Sequence, residues 1–159
     1  MHVEFRKCVL PREIRALRAF DRKVFRKTDL FTSDEWNKYA SYWMIVDRTA
    51  VGCCAFQLNV DFQEDIREDE ENQYLKGSLY ISTTGILPRF QHRGLGQLLK
   101  CWELTYAKYH AFTRIVTNTR KNNRRMISLN QKFGFQIIRT TRGYYFDPAD
   151  STVVMELKL

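Results

Sequence analysis

The sequence predicts an α/β domain with a mixed, mostly antiparallel sheet of about six or seven strands and about four helices. Three observations carry that expectation. Short runs of β-branched and aromatic residues recur along the whole chain. One of them, residues 79–87, leads through Pro88 and a glycine-bearing turn into a long stretch with apolar residues at three- and four-residue steps. A second strand-like run, 114–119, follows that stretch, so the helix between them is a crossover and the two strands are parallel neighbours. At 159 residues the chain makes one domain, 1–159, large enough to bury a core without metals or disulfides.

The elements follow in order. Val3 and Phe5 alternate with polar neighbours and start a first strand. From Pro11 to about Arg26, the residues Ile14, Leu17, Phe20 and Val24 recur at helical spacing, with the proline at a helix start. Thr32 or Ser33 caps a second, short helix. Residues 42–46 and 51–60 form a hairpin across 47–50. The segment 61–77 carries seven acids against Arg67 and Lys76 and is expected to be a surface loop. After strand 79–87, the helix 94–109 buries Leu95, Leu98, Leu99, Trp102, Tyr106 and Tyr109 along one face. Strand 114–119 leads to a helix from about Arg124 to Phe133, ended by Gly134. Strands 136–141 and 152–157 flank a loop that holds 144–148.

Composition narrows the function. Hydrophobic content of 44% with 14% aromatics describes an ordinary globular protein. No signal-like run follows Met1, and no stretch reaches the length of a membrane span, so the expected location is the cytoplasm and no membrane partner is expected. Cys8, Cys53, Cys54 and Cys101 lack metal-ligand spacing. They read as small buried hydrophobes in a reducing compartment, and no metal is expected. Net charge is +8, unevenly spread: between Arg89 and Arg142 stand twelve Lys or Arg against the single acid Glu103. That half favours an anion, although Lys100, Lys108 and Lys132 read as a solvated face, with Glu103 pairing with Lys100 or Lys108.

The chemistry concentrates in Gln91-His92-Arg93-Gly94-Leu95-Gly96. A glycine turn feeding a helix start offers N–H groups at the positive end of the helix dipole, where phosphates bind. Glycines let the backbone approach the anion. A second block follows: Asn123-Arg124-Arg125-Met126-Ile127-Ser128-Leu129-Asn130-Gln131-Lys132-Phe133-Gly134-Phe135.

On these two blocks the chain resembles the GNAT-type acyl-CoA N-acyltransferase superfamily. The first matches its Q/R-x-x-G-x-G/A cofactor loop and the second its N-x-x-(A/M)-x-x-L-(Y/N)-x-x-x-G-F segment. The likeness covers 79–135, and the flanking elements extend it over the whole chain. It implies a GNAT-like fold and acetyl-CoA as cosubstrate. It further implies that the backbone of Gly85, Ile86 and Leu87 holds pantetheine, with an N–H near Ile86 as an oxyanion hole. Backbone N–H groups from His92, Arg93, Gly94, Leu95, Gly96 and Gln97 would cradle the pyrophosphate, Arg93 would add a charge, and the Asn123 side chain would reach the cofactor.

The catalytic side departs from the family pattern. Asn130 stands where many members carry an acidic tyrosine, and Asn118 where bacterial peptide N-terminal acetyltransferases carry a glutamate base. An amide supplies no proton, so Asn118 and Asn130 are read as holding the substrate or a water, and Tyr144 and Tyr145 as candidate acids. The tail 143–156 is similar to that of ribosomal-protein alanine N-acetyltransferases, which favours a peptide amino terminus. A small-molecule amine, polyamine or aminoglycoside-like, and a catalytically silent acyl-CoA-binding module remain alternatives. The Arg120–Arg125 cluster lacks interleaved stacking aromatics, so no nucleic-acid partner is expected. A monomer or a homodimer is expected.

Overall fold

The computed structural model describes residues 1–58 and 77–159. Among them are seven strands and four α-helices. In chain order these are β1 (Val3–Lys7), α1 (Ile14–Val24), α2 (Ser33–Lys38), β2 (Ala40–Val46), β3 (Thr49–Leu58), β4 (Ser78–Ile86), α3 (Leu95–Tyr109), β5 (Arg114–Arg120), α4 (Arg124–Lys132), β6 (Gln136–Tyr145) and β7 (Asp150–Lys158). The strands are hydrogen-bonded in the order β1-β2-β3-β4-β5-β7-β6. The pairs β1–β2, β2–β3, β5–β7 and β6–β7 are antiparallel, and β4 with β5 is parallel across the α3 crossover. The acidic run 61–76 lies outside the described residues. No described helix is long and apolar enough to cross a membrane.

The chain forms two compact units, Met1–Gln57 with Ser82–Cys101 and Leu58–Ile81 with Trp102–Leu159. In the first, α1 presents Leu17 and Phe20 to Trp43, Cys53 and Ala55, and α2 adds Trp36 and the residue that ends it, Tyr39. The rings meet edge to face, Phe20 on Trp43 and Phe31 on Trp36, an arrangement that matches ring edge to ring face. Thr32 caps α2 in a full capping box: its side chain accepts from Glu35 N while Glu35 accepts from Thr32 N. Helix α1 starts at Ile14, not Pro11. A turn over 10–13 precedes it, and Glu13 holds the entry by accepting from Arg6 and from Val9 N. The Arg6 guanidinium lowers the Glu13 carboxyl to about 2.

Buried inside this unit is Asp21, whose Oδ2 accepts from Phe31 N at 2.9 Å. Burial pushes its carboxyl up to about 6. The same burial raises Tyr39 to about 12 and drives the Cys53 thiol up.

In the second unit β5 is buried over most of its length, from Arg114 to Thr117 and again at Thr119 and Arg120, because β4 flanks it on one side and β7 on the other. Its Arg114 pairs with Glu156 of β7 at 3.5 Å. The β4–β5 ladder runs from Ser78↔Arg114 to Ile81↔Thr117 and ends there. Strand β6 continues to Tyr145, beyond the strand expected over 136–141, so Tyr144 and Tyr145 lie on the strand and only 146–149 turn.

Three expectations about α3 and the cysteines need correction. Tyr109 is 85% exposed: it sits in the last turn, past the last buried apolar residue, Ala107. Lys100 and Glu103 are buried rather than solvated, at 1% and 0% exposure. Of the four cysteines, Cys101 is exposed because it lies on the outer side of α3.

Candidate active site

The end of β4 and the loop after it form one half of the chemistry, all within the first unit. Leu87 N donates to Val51 O of β3 at 2.8 Å. Successive residues of a strand point their backbone groups to opposite edges, so Ile86 points its N–H and C=O away from β3. Gln91 reaches back to that carbonyl, donating from Nε2 to Ile86 O at 2.9 Å, and thereby ties the loop to the strand. The close approach of β3 depends on glycine: a Cβ at Gly52 would stand 2.6 Å from Ile86 Cδ1 and 2.9 Å from Gly85 O.

The loop turns through two left-handed residues, His92 at φ 62° and Gly94 at φ 77°. A Cβ built on Gly94 meets nothing within 4 Å. Helix α3 begins at Leu95, and Leu98 N donates to Gly94 O at 3.1 Å, so the N–H groups of the first turn point out of the helix start. Arg89 and Arg93 rest beside the Phe90 ring, with Cζ atoms 4.7 and 5.8 Å from its centroid. The loop is open and backbone-lined with two arginines beside it, an arrangement whose chemistry suits an anion.

A polar chain crosses the sheet in the second unit. Tyr80 of β4 donates from its hydroxyl to Asn118 Oδ1 of β5. Asn118 Nδ2 donates to Thr152 Oγ1 at 3.1 Å and to the Tyr145 hydroxyl at 3.5 Å. Thr152 donates in turn to Thr119 O at 3.4 Å, which leaves its oxygen to accept and so sets which end of the Asn118 amide faces it. Arg120 locks the end of this chain. Its Nη1 donates to Pro148 O at 2.7 Å, its Nη2 to Phe146 O at 3.2 Å, and its Cζ lies 4.3 Å from the Tyr145 ring centroid. Further along, the Asn123 side-chain oxygen accepts from Met126 N at 3.2 Å and caps α4, which leaves its amide hydrogens for a ligand.

Comparison with known proteins fits this geometry. The family model described as Acetyltransferase (GNAT) family matches residues 12–135. The chain belongs to that family. It is accordingly an acyltransferase. The chain is 28% identical over 158 residues to a "Probable N-acetyltransferase san" of Drosophila melanogaster, with 93% of this chain and 77% of that one covered. Its fold is similar to Arabidopsis thaliana Naa50 in complex with the bisubstrate analogue CoA-Ac-MVNAL, at TM-score 0.78 and 21% identity, both chains covered in full. It is likewise similar to the ribosomal-protein-S18-alanine N-acetyltransferase from Escherichia coli, at TM-score 0.78 and 13% identity over 99% of this chain and 94% of that one.

Within this acetyltransferase fold the sequence-named residues separate. Asn118 and Tyr145 meet directly, whereas Tyr144 is exposed and packs edge-on against Tyr145 at 5.0 Å. Asn130 is not among them. It is 1% exposed on the buried side of α4, with Nδ2 donating to the Met155 sulfur at 3.6 Å. Tyr80 escaped the sequence reading because it stands in an apolar strand run, Leu79-Tyr80-Ile81. Register could have found it: Tyr80 pairs with Val116, and Asn118 shares that face two residues on, at the diagonal position. Two members of the basic half, Arg114 and Arg120, are buried and bond to protein groups.

Proposed function

We propose that this acetyltransferase transfers the acetyl group of acetyl-CoA to the free amino terminus of a protein or peptide. The observation that carries the proposal is the make-up of the Tyr80–Asn118–Tyr145–Thr152 chain, which holds no carboxylate and no histidine. A site that relies on these four residues supplies no such base, and its acceptor arrives neutral. An α-amino group, of pKa about 7.7–8.0, is neutral at pH 7 roughly 300 times more often than a lysine or polyamine amine of pKa about 10.4. The Naa50 neighbour, with its analogue joining CoA to a peptide, and the likeness to the alanine N-acetyltransferase support the same acceptor.

On this reading the loop of His92, Arg93, Gly94, Leu95, Gly96 and Gln97 takes the pyrophosphate, and the Asn123 amide donates to the cofactor. The strand end Gly85-Ile86-Leu87 holds the thioester. Leu87 N and Ile86 O are committed to Val51 and Gln91, so the Ile86 N–H is the oxyanion donor of that segment. The amine attacks the thioester carbon, the C–N bond forms, and the C–S bond breaks. The nitrogen gives its proton to solvent, the thiolate takes one from a phenol, and solvent returns a proton to that phenol. The polarity of the chain supports one proton route. Asn118 donates to the Tyr145 oxygen, so that bond does not use the Tyr145 proton, which can pass to the thiolate. Tyr80 donates to Asn118, so its oxygen accepts from the incoming amine or a water. Asn118 holds the two phenols and exchanges no proton. The four cysteines are free thiols, three of them buried, which supports a reducing compartment such as the cytoplasm.

The test is thiol release from acetyl-CoA at pH 7.5 with two peptides of one sequence. One has a free amino terminus and acetylated lysine; the other has a blocked terminus and free lysine. The first should react at least about a hundredfold faster. Equal rates would overturn the amino-terminal assignment. Silence with both, and with small amines, while acetyl-CoA still binds, would mark an acyl-CoA-binding module instead.

A further inference from the structure

We propose that a hollow on α1, remote in sequence from the cofactor loop, is a binding site for a phosphoryl group. It measures about 190 Å³ and is lined by Ile14, Arg15, Arg18, Arg22 and Ser33. The arginines stand three and four residues apart, so all three guanidiniums emerge from one face of the helix. The opposite face carries the buried Leu17, Phe20 and Asp21. Arg18 Nη1 donates to Ser33 Oγ at 3.3 Å and closes the hollow toward α2.

No carboxylate lines it. Three nearby acids are engaged elsewhere, Glu13 with Arg6 and Val9 N, Asp21 with Phe31 N on the buried face and Glu35 with Thr32 N, while Asp34, next to Ser33, is exposed and does not line the hollow. Like charges at this spacing repel across a helix, so three arginines on one face weaken α1 until an anion joins them. The volume falls below the roughly 300 Å³ at which pockets begin to take whole small molecules, so the hollow suits one anionic group. A phosphoryl group matches it best. Its near-double charge and three acceptor oxygens suit three guanidiniums carried on one helix face with a hydroxyl beside them, whereas a carboxylate leaves charge and donors uncompensated. The group can come from a small phosphorylated molecule or from a phosphoserine on a peptide.

The test uses the full chain, isotope-labelled and saturated with CoA so that the cofactor loop is occupied. Inorganic phosphate and a phosphoserine pentapeptide are titrated separately at constant ionic strength, and arginine and backbone N–H signals are followed. Saturable shifts at Arg15, Arg18, Arg22 and Ser33 are expected. A double variant Arg18→Gln, Arg22→Gln should weaken binding at least tenfold, and Arg18→Lys, which keeps the charge but loses the fork, should weaken it less. Both variants alter exposed side chains, and their thermal unfolding provides the control for folding. Pentapeptide binding tenfold tighter than phosphate identifies a phosphorylated protein as the source; equal affinity identifies a small molecule. Non-saturating shifts, shifts reproduced by sodium chloride, or unchanged affinity in the double variant would overturn the proposal.

Discussion

Replacing Arg120 by methionine should unlock the turn that holds Tyr145 without touching the cofactor loop. The arginine donates to Pro148 O and Phe146 O and lies against the Tyr145 ring. Hydrogen bonds from a charged donor are worth about 1.5–3 kcal/mol each. Phe146 and Pro148 are exposed, so water can replace part of each bond and the lower figure applies. Two such bonds and a stacking contact of about 0.5–1 kcal/mol give a total of about 3.5–4 kcal/mol. Methionine fills the stem volume but donates nothing. Lost locally, that energy raises amide exchange over 145–150 by nearly three orders of magnitude, at about 1.4 kcal/mol per tenfold; lost globally, it lowers Tm by roughly 10 °C in a chain of this size. Exchange mass spectrometry and thermal unfolding read the two cases. Turnover should fall while acetyl-CoA affinity holds, because Tyr145 loses its place, and Arg120→Lys should recover part of the effect through one carbonyl. A methionine variant with wild-type exchange in the turn and Tm within about 2 °C of wild type would refute the reasoning.

Other perturbations test other parts of the site. Gly94→Val should cost about 1–2 kcal/mol for a side chain in a left-handed conformation and should abolish the thermal shift produced by acetyl-CoA. A shift that survives would place the pyrophosphate elsewhere. Tyr145→Phe and Tyr80→Phe, made separately, should each lower kcat by about 10–100-fold at unchanged acetyl-CoA affinity, and two fully active variants would leave the proton to water. Asp21 has a folded-state carboxyl raised to about 6, above its ordinary value, so its contribution to stability is full below the ordinary carboxylate range and is lost as pH rises through about 6. Asp21→Asn should therefore remove a fall in stability between about pH 4 and 6 in urea unfolding, and an unchanged pH profile would show that Asp21 does not titrate there.

Near-neighbour chemistry accounts for what could be read from the chain. The Thr32–Glu35 cap, the α3 stripe and the glycine loop before it each depend on residues a few positions apart, and each stands where the pattern put it except that the stripe ends short of Tyr109. The parallel pairing of β4 and β5 was also readable, since a helical crossover between two strands leaves little choice. Boundaries shifted where a distant partner extended or cut an element. Strand β6 runs on to Tyr145 because β7 continues to pair with it. The α1 start moved to Ile14 because Arg6 holds Glu13 in the preceding turn.

Side-chain roles were another matter. Arg93, Arg114 and Arg120 look alike in a basic half-chain. Only the folded chain separates an arginine beside an exposed loop from one paired with Glu156 and one clamping a turn 26–28 residues away. Asn118 and Asn130 both looked like vacant catalytic positions. Register put the first against Tyr80, 38 residues back, and Tyr145, 27 ahead, while the second faces a methionine sulfur in the core. Local sequence sets backbone preference within a few residues of each position. Which polar groups meet is set by strand register and helix packing, and these follow from burying the apolar faces of the whole chain at once.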